Sequence, residues 1–179
     1  MVRFITLTLG AIILLTACTA ATDARQNDRQ PGSATEAAEP ARAPSGLELV
    51  PLTISSQGKT HEFTVEVART RRQQARGLMF RTELAPDAGM IFPFDRVRPA
   101  SFWMKDTPIS LDIIFIRADG TIESIAANTT PYSLESVPSG EPVAGVLELI
   151  AGRAAELGVG PGDKVEWTET WDPVKRLRE

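Results

Sequence analysis

The chain has 179 residues and a formal net charge of −4, with one cysteine and one histidine. The acidic balance argues against nucleic acid as a partner and against a polybasic contact with a membrane. A single cysteine rules out an internal disulfide, and a single histidine rules out a histidine-cluster metal site.

Residues 1–17 carry the features of an export signal. Arg3 supplies a positive charge, and residues 5–15 form an apolar run too short for a stop-transfer helix. An ordinary secretory signal fits this much. The segment Leu15-Thr16-Ala17-Cys18 also resembles the bacterial lipobox. That resemblance implies cleavage before Cys18, lipid on its sulfur, and a membrane anchor for an exported protein facing the periplasm or the cell exterior. A lipidated Cys18 leaves no thiol for a nucleophile or a metal. Thr19, rather than Asp, follows the cysteine and favours the outer membrane where one exists.

Residues 19–46 contain no Ile, Leu, Val, Met or aromatic side chain. Such a stretch buries too little to offset its ordering entropy. With Cys18 it reads as a disordered tether over 18–46, reaching roughly 30 Å. A single globular domain is expected over 47–172, followed by a charged tail at 173–179.

Within the domain, 47–55 and 61–67 read as strands joined by a turn at Ser56-Gln57-Gly58-Lys59. Thr70 with Gln73 forms a capping-box pattern, which starts a helix over 71–76 that Gly77 ends. Further strands are expected at 90–94 and 100–104. Asp119-Gly120 marks a hairpin between strands at 111–117 and 121–125. A strand at 143–150, a helix at 152–157 stopped by Gly158, a turn at Pro161-Gly162 and a strand at 164–167 complete the pattern. The expected fold class is α+β and mostly β. About eight mainly antiparallel strands form a barrel-like or rolled sheet with two short helices. A parallel βαβ fold is disfavoured, because helices are too few for its crossovers.

Three segments stand out: Arg76-Gly77-Leu78-Met79-Phe80-Arg81, Gly89-Met90-Ile91-Phe92-Pro93-Phe94, and Phe102-Trp103-Met104-Lys105-Asp106-Thr107 running on to Leu111-Asp112. With Gly162-Asp163, they resemble the domain of unknown function 192 family over nearly the whole folded part. The resemblance implies a small, mostly β domain that is often exported. It implies no activity.

The candidate site residues are Arg76, Arg81, Trp103, Lys105, Thr107 and Asp112. Strand alternation sends Phe102 and Met104 to one face and Trp103 and Lys105 to the other. Lys105 then either lies over Trp103 on the surface or makes with it a platform for a ligand. Asp112 has apolar neighbours on both faces, so its carboxylate needs a partner. It accepts hydrogen bonds from the 106–110 turn, pairs with Arg76 or Arg81, or serves as a site carboxylate. The two arginines suit a bidentate grip on an anion, or pair with Asp112 or Glu83. Met79, Met90 and Met104 read as packing residues, and His61 as a strand residue. No phosphate loop or metal-ligand cluster is present, so no cofactor is expected.

These residues support two functions. One is a binding module for a small polar ligand or an envelope protein. The other is a hydrolase or lyase with Asp112 and Lys105 as acid and base. The first is preferred, because no motif supplies an activated nucleophile. Convergence of Arg76, Trp103, Lys105 and Asp112 on one cleft is the geometric expectation.

Overall fold

The computed structural model describes residues 43–168. The signal segment, Cys18, nearly all of the tether and the charged tail lie outside these residues. Strands β1 (Leu49–Ser56) and β2 (Lys59–Val67) form an antiparallel hairpin. Its turn residues, Gln57 and Gly58, both take positive φ, the conformation a two-residue hairpin loop demands. Helix α1 (Arg71–Arg76) begins with the expected capping box: Gln73 N donates to Thr70 Oγ1, and Thr70 N donates to Gln73 Oε1. After an irregular connection come β3 (Ala88–Arg98) and β4 (Ser101–Phe102). Strands β5 (Leu111–Ile116) and β6 (Ile122–Ala126) form the second hairpin. Asp119 braces its turn by accepting from the Thr121 N–H and hydroxyl, which lower the pKa of its carboxyl. The remaining elements are β7 (Val137–Pro138), β8 (Val143–Ile150), α2 (Arg153–Leu157) and β9 (Lys164–Trp167).

Seven strands form one sheet in the order β6-β5-β8-β3-β2-β1-β9, and β4 pairs with β7 in a separate ribbon. The large sheet rolls until its ends touch. Ile122 N donates to Asp163 O and Val165 N to Gly120 O, around a bridge between Thr121 and Lys164. This is one bridge and not a ladder, so the roll stops short of a closed barrel.

The structure departs from the sequence reading in three places. Strands β2 and β3 run parallel. The connection 68–87, which contains α1, is long enough to carry the chain back across the sheet. The strand expected at 100–104 shrinks to two residues. Met104 accepts a hydrogen bond from Thr107 N, and Asp106 takes a left-handed φ of 53°, so the chain turns there. Strand β7, which includes Pro138, was not anticipated.

Two apolar layers divide the core. Leu52, Ile54, Val65, Ile91, Ile114 and Leu147 pack on one face of the sheet. Leu78, Met90, Phe92, Met104, Ile113 and Phe115 pack on the other, under α1 and the β4 region. Gly89 keeps the central strands close. A Cβ there would lie 2.6 Å from the Glu148 carbonyl oxygen. No helix among the described residues is long and apolar enough to cross a membrane.

Candidate functional site

Asp112 is fully buried and held by backbone. Its Oδ1 accepts from Asn128 N at 2.9 Å and Gly152 N at 3.1 Å, and its Oδ2 accepts from Ala154 N at 3.0 Å. It thereby ties the loop after β6 and the start of α2 to β5. None of these donors belongs to the 106–110 turn, and no arginine among the described residues pairs with it. Alternation explains the difference. Asp112 shares a sheet face with Ile114 and Ile116, while Ile113 shares the opposite face with its register partner Glu148. Asp112 does not join the other candidates in a cleft.

Arg81 is also committed elsewhere. Its guanidinium meets Glu66 Oε1 at 2.5 Å, and Glu66 Oε2 accepts from the Ser45 hydroxyl at 2.5 Å. The pairing with Asp112 or Glu83 is not formed. Lys105 Nζ lies 5.5 Å from the centre of the Trp103 ring, and Trp103 remains 49% exposed. Arg76 is exposed at the end of α1, 5.9 Å from the Phe80 ring centre. Thr107 is buried, its hydroxyl donating to Lys105 O.

Arg76, Trp103 and Thr107 do meet. They line a cleft of about 220 Å³ between the α1–β3 connection and the β4 region. Gly77 makes one wall possible. It holds φ 47° and ψ −135°, a backbone conformation that side-chain-bearing residues rarely adopt, and lies against the Phe92 ring. The cleft also contains a residue that the sequence reading passed over, Glu148 on β8. Glu148 is 5% exposed, between Met90 and Ile113 in the register of the sheet. Among the described residues its carboxyl has no ion pair and no hydrogen bond. Burial alone pushes its carboxyl up to about 8, so it is mostly protonated at neutral pH. The signal was present in Val146-Leu147-Glu148-Leu149-Ile150, an acid inside an apolar run whose two faces are both buried.

The loops beside the cleft hold strained backbone. Phe80, Asp106 and Tyr132 have φ of 66°, 53° and 60°. They are linked: Phe80 N donates to Asp106 O, and Tyr132 N to Thr107 O. Left-handed backbone at bulky side chains is uncommon and costs energy. It fixes the turn that carries Thr107. No cluster of three or more His, Cys, Asp or Glu side chains able to hold a metal occurs among the described residues.

The chain was compared with known proteins. A family model described as "Uncharacterized ACR", the domain of unknown function 192, matches residues 52–167. No curated protein matches the chain significantly. Solved structures that resemble the chain include two. One is a protein of unknown function from Novosphingobium aromaticivorans, 50% identical, covering 75% of this chain and 97% of that one, with a TM-score of 0.70. The other, from Sinorhizobium meliloti, is described as a candidate transcription regulator. It is 45% identical, covering 68% of this chain and 95% of that one, with a TM-score of 0.66. The chain therefore belongs to the domain of unknown function 192 family.

Proposed function

We propose that this protein is an exported lipoprotein, tethered through lipid on Cys18, whose domain binds a small polar ligand in the cleft above Glu148. The observation that carries the reading is the unpartnered carboxyl of Glu148 at the cleft. An acid buried without a partner costs stability that an apolar residue in its place would not. Site residues are seldom optimised for folding, and this cost has that character. Arg76 and Thr107 add a cation and a hydroxyl at the same cleft.

The acid–base pair of Asp112 and Lys105 has no comparable support. Both Asp112 oxygens are occupied by backbone N–H groups. The regulator description of one relative is not carried over, since a net charge of −4 offers nucleic acid no electrostatic footprint.

The test is a thermal-shift screen of the full chain and its Glu148→Met variant against sugars and organic anions. The variant should melt higher and lose the stabilisation that ligands give the natural protein. A variant that melts lower and keeps its ligand response would sink the reading.

A further inference from the structure

Two cations line the cleft, Arg76 and Arg98, and a third, Lys105, lies outside its lining beside the ring of Trp103, which does line it. Arg76 lies 5.9 Å from the Phe80 ring centre, Arg98 lies 3.8 Å from that of Phe94, and Lys105 lies 5.5 Å from that of Trp103. None of the three has a carboxylate partner among the described residues. Two of the rings, Phe80 at 65% and Trp103 at 49%, are exposed. The rim thus offers positive charge and the open face of Trp103 together. We infer that the ligand is an acidic sugar, a pyranose ring bearing a carboxylate, with the carboxylate on Arg76 and a ring face on Trp103. The inference rests on the reading of this cleft as a ligand site.

Each part of such a ligand finds its complement. The carboxylate suits a guanidinium fork, which grips it bidentately. The C–H face of a pyranose is apolar and stacks on an indole ring, while its edge carries hydroxyls. Those hydroxyls both donate and accept, as does a neutral carboxyl, so Glu148 in its protonated form can serve either role. A linear diacid would use the cations and leave Trp103 idle. A neutral sugar would use Trp103 and leave Arg76, Arg98 and Lys105 unanswered. Size agrees as well. At about 220 Å³ the cleft falls below the range of drug-sized sites, so it takes one ring. A wider groove of about 780 Å³ shares Arg76, Gly77 and Met79 with it, which leaves room for the sugar to be the end of a longer chain.

Titration calorimetry of the full chain tests this with four probes: D-glucuronate, glucose, cyclohexanecarboxylate and succinate. Glucuronate should bind, and the other three should bind at least about tenfold more weakly, because each lacks the charge, the hydroxyls or the ring. Arg76→Ala and Trp103→Ala alter exposed side chains and should each weaken glucuronate by about tenfold with little change in melting temperature. Glu148→Gln should weaken it too. If succinate or cyclohexanecarboxylate binds in a Glu148-dependent way as tightly as glucuronate, the sugar assignment is overturned and the ligand site stands. If none of the four shows Glu148-dependent binding, both the sugar and the site are overturned.

Discussion

Ionisation of Glu148 makes the folded protein sensitive to pH in a defined interval. Burial raises the carboxyl from 4.5 to about 8. Between these values the unfolded chain has released the proton that the folded protein still holds. Stability from this group is therefore complete below pH 4.5, declines as pH rises, and levels off above about pH 8. At about 1.36 kcal/mol per unit, the interval corresponds to on the order of 4–5 kcal/mol. Water drawn into the open cleft around the carboxylate lowers that figure, so a loss of about 2–4 kcal/mol is expected. Glu148→Gln cannot ionise and should lack this loss. Urea titrations of both proteins across the interval give the unfolding free energies. Every other titratable group is common to both proteins, so its contribution cancels in the difference. A difference that stays constant from pH 4.5 to 8 would refute the assignment of a buried, unpartnered acid.

Gly89→Ala should destabilise the fold by about 2 kcal/mol or more, since its Cβ would stand 2.6 Å from the Glu148 carbonyl oxygen and 2.8 Å from Leu149 Cδ2. Denaturant midpoints check this, and an unchanged midpoint would contradict the close approach of β3 and β8. Asp112→Asn turns an amide N–H toward a backbone N–H, losing at least one of three hydrogen bonds. It should cost about 1–3 kcal/mol without affecting ligand binding. Lost binding at full stability would return Asp112 to the site. Cys18→Ala should leave the membrane fraction and show no acyl chains by intact-mass analysis; unchanged membrane association would rule out the lipid anchor.

Most elements of the fold were readable because local chemistry decides them. The Gln57-Gly58 and Asp119-Gly120 turns, the Thr70–Gln73 box and the glycines after each helix all act within a few residues. The parallel pairing of β2 with β3 was not readable, because it depends on where the connection 68–87 lays the chain. Asp112 shows the same limit at one residue. Its need for partners followed from its apolar neighbours, but cations and the adjacent turn looked nearest in sequence. The actual donors lie 16, 40 and 42 residues away, brought in by the roll of the sheet. Arg76, Trp103 and Thr107 were found from their motifs, and the cleft unites them. Glu148 was missed because β8 looked like an ordinary apolar strand.

The buried acids of this domain divide by whether folding satisfies them. Asp112 has three backbone donors, and Glu66 has Arg81 and Ser45. Both are explained by the structure they hold together. Glu148 has nothing comparable, although a leucine there would match its neighbours Leu147 and Leu149. Strain is distributed in the same uneven way. Among the described residues, three of the five non-glycine residues with positive φ, Phe80, Asp106 and Tyr132, lie in the loops tied to Thr107; at Phe80 and Tyr132 this costs about 1–2 kcal/mol, whereas aspartate tolerates it. Glycine or asparagine would adopt these conformations more cheaply. An isolated excess cost can be an accident of packing. Glu148, whose carboxyl has no partner among the described residues, lines one small cleft together with Arg76 and Arg98, neither of which is paired with a carboxylate there. Selection for stability alone would remove such an acid, and the proposed ligand site would account for its retention.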